Sequence, residues 1–496
     1  ADPSLIDSIQ NKLEFIQSRP PEQKLDSLKA GAIDTENYQF TKESKVDTRD
    51  YQFEKPKDDP TTGGRGFLSI YQNSQSEERI KGPNPYENRF QTDNLVTTFV
   101  IDQLRSFSYL SEIQMNDYLE NHRLSGGLLL PISLNQGYDV YAQYEYLKHR
   151  IDAKVKYFRQ SIVTRNRASF LDQRYNLNRF EIGFAYPINP LLRIEANPFY
   201  TQTRFIDRDF RLVIPNPAVN PTRFNSEANQ TASYLGLSST LVFDNSVVVG
   251  TNLHEGTRAK LTVEAHGGMS ATSQSFNNIE LDVRHYQKVN KGIYLAARFY
   301  FGSYFGKAPK RYYLGGIDNW AFNSTEIRDP ANDDLAFQPL FNSVVNNTGV
   351  NPNKSDILFN QFVNLRGYDY NTFQGSNVMT FSGELRFPIS QLLQNSELKS
   401  NFLKNLQIVG FYDVGSAWDD LSPFEDRNNQ NIEEISTDGS PFSAVINNFS
   451  NPWLQTAGVG IRTMFIGFYS RMDFSFPIQN FTVLKPAFQL SFGYDF

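Results

Sequence analysis

The chain ends in an alternating segment, "KPAFQLSFGYDF" (residues 485–496), whose pattern decides the fold class. A β-strand points successive side chains to opposite faces, so one face of this segment is apolar and the other is polar. The apolar face consists of Phe488, Leu490, Phe492, Tyr494 and Phe496. Two settings explain such a strand: the core of a soluble β-sandwich, or a barrel wall between lipid and an aqueous lumen.

The same alternation recurs upstream, with charged residues on the polar faces. It is clearest in "NVMTFSGELRFPI" (377–389), "LQIVGFYDVG" (406–415) and "SRMDFSFPI" (470–478). Burying an unpaired charge in a dry core costs several kcal/mol, so these faces do not line a sandwich interior. Residues 91–496, at ~25 residues per strand and connection, accommodate roughly sixteen strands, an even number that suits a membrane barrel. We therefore predict an all-β fold, a transmembrane antiparallel β-barrel.

The composition limits the function classes. The net charge of the 496 residues is -6 and no basic patch appears, so nucleic acid is not an expected partner. The absence of cysteine excludes disulfides and thiolate metal sites. The five histidines lack metal-ligand spacing, and neither a nucleophile elbow nor a P-loop is present. We expect no enzyme activity, no metal and no cofactor. The histidines are His122, His149, His254, His266 and His285.

The first part of the chain, residues 1–90, differs from the rest. It begins with a short amphipathic helical pattern and continues as a polar linker in which "IDTENYQF" (33–40) recurs as "VDTRDYQF" (46–53). One interpretation is a solvated linker. The other is a periplasmic tether whose two Tyr-Gln-Phe units dock on a partner through Tyr38, Phe40, Tyr51 and Phe53. We place the domain boundary between this segment (1–90) and the barrel (91–496).

Six segments of the second half resemble, in order, motifs of the BamA/TamA superfamily of outer-membrane barrels. They are "RYYLGGIDNW" (311–320), "LRGYDYNTFQG" (365–375), "GELRFPI" (383–389), "GFYDVGSAW" (410–418), "AGVGIRTMFIGFYSRMDFSFPI" (457–478) and "FQLSFGYDF" (488–496). A further stretch, residues 124–160, resembles barrels found behind TolB-like propellers. The strands of the POTRA domains usual in the family are missing from residues 1–90. The resemblance implies a bacterial outer-membrane location, with the N-terminus in the periplasm.

The resemblance also implies an extracellular sixth loop that folds back into the lumen. Its tip would carry Arg366, which would bind an acidic residue of the inner wall, while Gly367 allows a tight backbone and Tyr368 packs against the wall. The strand pattern independently places Asp413 on a polar face, and Glu384 and Asp473 also point inward. The alternative for Arg366 is a surface arginine in a polar loop. Residues 317–364 and 422–448 are predicted to be long surface loops.

Two functions remain open from the sequence. In the first, the barrel helps insert or translocate other polypeptides at a lateral seam beside the closing strand, where Gly493 weakens the packing. In the second, it is a POTRA-less transport or scaffold barrel that anchors a periplasmic or surface partner. The expected partners are outer-membrane lipid (lipopolysaccharide and phospholipid), periplasmic or outer-membrane protein subunits, and client polypeptides. The seam residues are Phe488, Leu490, Phe492, Gly493, Tyr494 and Phe496.

Overall fold

The computed structural model describes twenty-four strands and only short helices. The described residues are 89–166, 171–207, 229–321, 354–392, 400–419, 422–424, 432–436, 443–447, 451–465 and 467–493. The strands are β1 (Phe90–Asp102), β2 (Ser106–Asp117), β3 (His122–Pro131), β4 (Asp139–Tyr146), β5 (Asp152–Asn166), β6 (Leu171–Asn189), β7 (Leu192–Asp207), β8 (Gln230–Asp244), β9 (Val247–Gly250), β10 (Leu253–Gly268), β11 (Phe276–Asn290), β12 (Ile293–Gly306), β13 (Tyr312–Leu314), β14 (Trp320–Ala321), β15 (Gln361–Val363), β16 (Phe373–Gly375), β17 (Asn377–Pro388), β18 (Gln407–Trp418), β19 (Ile432–Ser436), β20 (Ser443–Asn447), β21 (Leu454–Phe465), β22 (Phe468–Gln479), β23 (Thr482–Val483) and β24 (Ala487–Phe492).

Nineteen of these strands belong to one antiparallel sheet, of which β9, β14 and β23 are short additions. The other sixteen form the wall, in which each strand pairs with the next one along. The neighbours follow the order β1 to β8, then β10, β11, β12, β17, β18, β21, β22 and β24. The predictions of an all-β fold and of roughly sixteen strands in an antiparallel barrel are confirmed. The first strand begins at Phe90, one residue before the expected boundary.

The remaining elements belong to the connections. The short strand β13 pairs with β15 and β16 in the long connection between β12 and β17, and β19 pairs with β20 in the connection between β18 and β21. Two one-turn helices, α1 (Ile389–Leu392) and α2 (Asn401–Lys404), lie between β17 and β18. Two 3₁₀ turns span Leu134–Gln136 and Lys354–Phe359. Among the described residues, no helix has the length and apolar character needed to cross a membrane.

The wall has an apolar outer face and a polar inner face, because side chains alternate along each strand. On β17, Phe381 and Leu385 are 45% and 44% exposed, whereas the intervening Glu384 is 1% exposed. On β18, Tyr412 is 44% exposed and its neighbour Asp413 is 1% exposed. The carboxylates that the sequence placed on polar faces therefore lie inside the barrel, and the rings lie outside.

A charge on the outer face should destabilise the barrel most near the middle of a strand. Phe381 lies in the middle of β17, and Phe481, which is 84% exposed, lies in the connection after β22. Phe381→Arg should lower the free energy of unfolding in lipid vesicles by ~2–4 kcal/mol, and Phe481→Arg by ~0–1 kcal/mol, because the cost of a charge facing lipid depends on depth. Urea titration of both variants measures this difference. Equal losses would contradict the assignment of the outer face.

Candidate functional site

Arg366 lies at the tip of the long connection between β12 and β17 and binds the inner wall. Its Nε and Nη2 donate to the two carboxylate oxygens of Asp413, each at 2.6 Å. Its Nη1 donates to Oε1 of Glu384 at 2.5 Å. The planar guanidinium thus holds one carboxylate with two bonds and a second carboxylate with the third, a geometry that lysine cannot reproduce.

The two carboxylates belong to a larger buried charge network on four adjacent strands. Glu384 also pairs with Arg386 at 2.7 Å and lies 3.6 Å from Arg462. Arg462 in turn binds Asp473 at 2.7 Å. Asp473 joins the network through Arg462, and its charge also helps to raise the pKa of Arg366. Three arginines and three carboxylates balance one another, and all six residues are buried.

The charge on Arg366 is fixed by its surroundings. Burial works against the charged form, but Asp413 and Glu384 outweigh it and raise the pKa of Arg366 well above its usual value. The guanidinium carbon also lies 3.9 Å from the centre of the Phe411 ring, whose face attracts cations. We name the group Arg366, Asp413 and Glu384 the latch.

The two residues after Arg366 fit the wall closely. Gly367 has φ of 86°, a conformation that side chains disfavour, and a Cβ there would lie 2.9 Å from Oγ1 of Thr456. Its N–H donates to Oε1 of Gln489 on β24 at 2.8 Å. The Tyr368 hydroxyl lies 2.8 Å from the carbonyl oxygens of Gln455 and Ile478. Burial raises the pKa of Tyr368 to about 12, so its hydroxyl stays protonated.

A second interior anchor was not foreseen from the sequence. Asp356, on the 3₁₀ turn Lys354–Phe359, is 2% exposed and accepts hydrogen bonds both from its own connection and from two strands of the wall. Lys310 Nζ donates at 2.9 Å, the Tyr234 hydroxyl at 2.5 Å and Thr203 Oγ1 at 3.0 Å. Thr203 and Tyr234 lie on β7 and β8, so this anchor holds the loop to a different part of the wall from the latch. The segment "KSDILF" carries no motif or spacing that signals it.

The two ends of the sheet meet at a seam that has little pairing. Among the described residues, β1 pairs only with β2, and β24 pairs with β22 and with the two-residue strand β14. The edge of β1 from Phe90 to Thr97 is exposed throughout. Gly493 has φ of 116° and directly follows the last residue of β24, and its N–H donates to the carbonyl oxygen of Tyr469 at 2.8 Å.

The other predicted seam residues are placed as follows. Phe488 is 62% exposed on the outer face, while Leu490 and Phe492 are half-buried there beside the inward-facing Gln489 and Ser491. Tyr494 and Phe496 lie outside the described residues, as do the candidate docking residues Tyr38, Phe40, Tyr51 and Phe53 and most of the two predicted surface loops.

Comparison with known proteins identifies the family. The model of the Omp85 superfamily domain matches residues 128–496, which is more than half of the chain, so the chain belongs to the Omp85 superfamily. The resemblance read from the six motifs is thereby confirmed. The chain is an outer-membrane β-barrel of the class that acts in protein assembly and secretion. No curated protein matches it in sequence.

Solved structures with low sequence identity resemble the chain. BamA from Haemophilus ducreyi lacking POTRA domains 1–3 is 11% identical, with a TM-score of 0.48 over 86% of this chain and 78% of that one. CdiB from Acinetobacter baumannii is 12% identical, with a TM-score of 0.42 over 82% of this chain and 60% of that one. CdiB from Escherichia coli is 10% identical, with a TM-score of 0.43 over 83% of this chain and 63% of that one. The chain therefore spans less than two thirds of the CdiB proteins.

Removing the latch arginine should cost much more stability than removing a surface arginine. Arg366→Ala leaves Asp413 and Glu384 buried without it and should lower the free energy of unfolding by ~3–5 kcal/mol. The control is Arg193, which is 50% exposed and pairs with Glu195 at 2.8 Å. Arg193→Ala should cost ~0–1 kcal/mol, as exposed pairs do. Urea unfolding in vesicles compares them, and losses of similar size would show that the latch adds nothing to stability.

The second anchor should show strong coupling between its two charges. Asp356→Ala leaves the Lys310 ammonium, which is 1% exposed, buried alone and should cost ~3–5 kcal/mol. Adding Lys310→Met removes that charge and should restore most of the loss. A double-mutant cycle of the two substitutions measures the coupling. Additive losses in the cycle would contradict a direct Lys310–Asp356 pair.

Proposed function

We propose that this Omp85 barrel helps other polypeptides enter the outer membrane at the seam between β24 and β1, and that its N-terminus lies in the periplasm. The observation that carries the proposal is the free edge of β1. Neighbouring strands along the wall are joined by ladders of backbone pairs, whereas no described strand pairs with this edge of β1. The latch, in this proposal, holds the sixth loop in the lumen during insertion.

The backbone of β1 is oriented to accept a partner strand. The Ile101 amide points across the seam, because it donates to Oδ1 of Asn319 at 3.1 Å. Backbone direction alternates along a strand, so the amides of Leu95, Thr97 and Phe99 point the same way. An unpaired edge of this kind is a template for a strand of another chain, which gains main-chain hydrogen bonds when it adds to the sheet.

The side chains beside this edge suit a membrane setting. Leu95 and Phe99 are 64% and 57% exposed on the outer side of β1. A client strand that pairs here would continue the apolar outer face of the wall. Its polar side chains would face the lumen, so the client could satisfy both its backbone and its side chains before its own barrel closes.

The alternative, a transport or scaffold barrel without insertase activity, makes a different prediction in cells. Depletion of an insertase should impair the assembly of many unrelated outer-membrane proteins. Depletion of a scaffold or transporter should affect a single surface protein or nutrient. The abundance of outer-membrane proteins after depletion therefore separates the two functions.

Site-specific crosslinking tests the seam directly. A photo-crosslinking residue at Leu95 should form adducts with newly made outer-membrane proteins during their assembly. The control position is Leu235 on β8, which is 58% exposed on the far side of the barrel and should form none above background. Equal adducts at both positions, or none at Leu95, would contradict insertion at the seam.

A further inference from the structure

A short segment of the infolded loop occupies the edge of β24. We name Asp318–Ala321 the seam strap. Trp320 and Ala321 form antiparallel pairs with Ser491 and Leu490. The Phe492 amide adds a bond to the carbonyl oxygen of Asn319 at 3.4 Å. The strap thus continues the sheet beyond its last strand, in the position that a neighbouring strand would take.

The strap also holds the other side of the seam. The Ile101 amide donates to the Asn319 side chain, as described above, and Gln103 Nε2 donates to Oδ1 of Asp318 at 3.0 Å. The half-buried Leu104 packs against a buried cluster that contains Ile317, Trp320 and Tyr370. One four-residue segment therefore contacts both ends of the sheet.

We infer that the seam strap is an internal substitute for a client strand, which keeps the seam shut at rest and must be displaced before a client pairs with β24. This inference rests on the proposed function and names the event that regulates it. The client segment that the strap replaces is an extended, amphipathic strand. At the position opposite Ser491 the client carries a large aromatic side chain that points inward. Trp320 of the strap now lies there, with its ring 5.5 Å from that of Tyr370.

Two features make the strap easy to displace. Its ladder has two pairs, whereas neighbouring β21 and β22 share eleven. The buried indole N–H of Trp320 finds no acceptor among the described residues, which leaves a donor that a different partner could satisfy. A strand bound permanently would be expected to lack these defects.

The strap is hydrogen-bonded to residues beside the latch, so its displacement would break contacts inside the barrel as well as at the seam. Asn364 Nδ2 donates to Oδ2 of Asp318 at 2.6 Å, and the Tyr370 hydroxyl donates to the carbonyl oxygen of Ile317 at 2.5 Å. Both donors flank the tip that carries Arg366. A client that removes the strap therefore pulls on the segment held by the latch.

A disulfide lock tests the inference. Because the natural chain has no cysteine, the introduced thiols can pair only with each other. Ala321→Cys combined with Leu490→Cys places two thiols at directly paired positions on the strap and β24. The control is Val459→Cys with Phe474→Cys, a direct pair between β21 and β22, strands that are not expected to separate. The probe is a urea-unfolded eight-stranded outer-membrane barrel protein, offered to vesicles that contain each variant.

The oxidised strap lock should reduce folding of the probe to the rate seen with empty vesicles, and reductant should restore it. The control lock should leave the rate unchanged in both redox states. If the oxidised strap lock folds the probe as fast as the control, while Leu95 still crosslinks to clients, the strap does not occupy the client position and the seam function stands. If Leu95 forms no client adducts in any variant, the seam function itself is overturned.

A second variant keeps the inference testable if the cysteine pair fails to fold. Asn319→Ala removes the side chain that accepts from Ile101 but leaves the β24 ladder. It should speed probe folding relative to the unaltered protein, and it should raise the yield of client adducts at Leu95. A slower rate with correctly folded Asn319→Ala protein would show that the strap assists insertion rather than restrains it.

Discussion

A β-sheet in lipid must satisfy the backbone groups at both of its ends, because no water is available there to pair with them. Sixteen strands provide fifteen internal ladders but leave one place where the first strand must meet the last. In this protein the meeting is incomplete. β24 has six residues and ends before the left-handed Gly493, whereas β1 has thirteen and exposes most of its edge. The strap occupies a small part of the gap, beside Ser491 and Leu490 on one side and Ile101 and Gln103 on the other.

The strap is positioned by the charge network at the inner wall. Arg366 fixes the tip of the loop to β17 and β18. The isolated bridge between Gly316 and Leu365 joins the residues just before the strap to that tip. Asp356 fixes the same loop to β7 and β8. The loop is therefore held at two walls before its strap reaches the seam. A buried ion network can determine where a connection lies even where replacing the whole network by apolar residues would change stability little.

The sequence predicted those features whose signal is local or periodic. The alternation predicted the inner and outer faces of β24 (Ala487–Phe492) correctly, and the same alternation placed Asp413 inside the wall, where Arg366 meets it. The second anchor and the strap could not be read in this way. Asp356 depends on Lys310 and Tyr234, which are 46 and 122 residues away, and no periodicity links such partners. The strap's residues were visible in "RYYLGGIDNW", but a two-residue strand is too short to show alternation.

Under the proposed function, the relative strength of these contacts decides which route a client polypeptide would use. Passage through the lumen requires the loop to leave both walls, and leaving the latch would strand Asp413 and Glu384 without Arg366, at a cost of ~3–5 kcal/mol. At the second anchor the loop would lose the hydrogen bonds of Asp356 to Thr203 and Tyr234. Displacing the strap breaks only a few backbone hydrogen bonds, each with a net contribution of ~0.5–1.5 kcal/mol, and an incoming strand replaces them with its own. The seam is therefore expected to be the easier route. In the proposed mechanism the loop keeps both anchors while the seam opens, so the barrel would admit a strand sideways without opening a pore across the membrane.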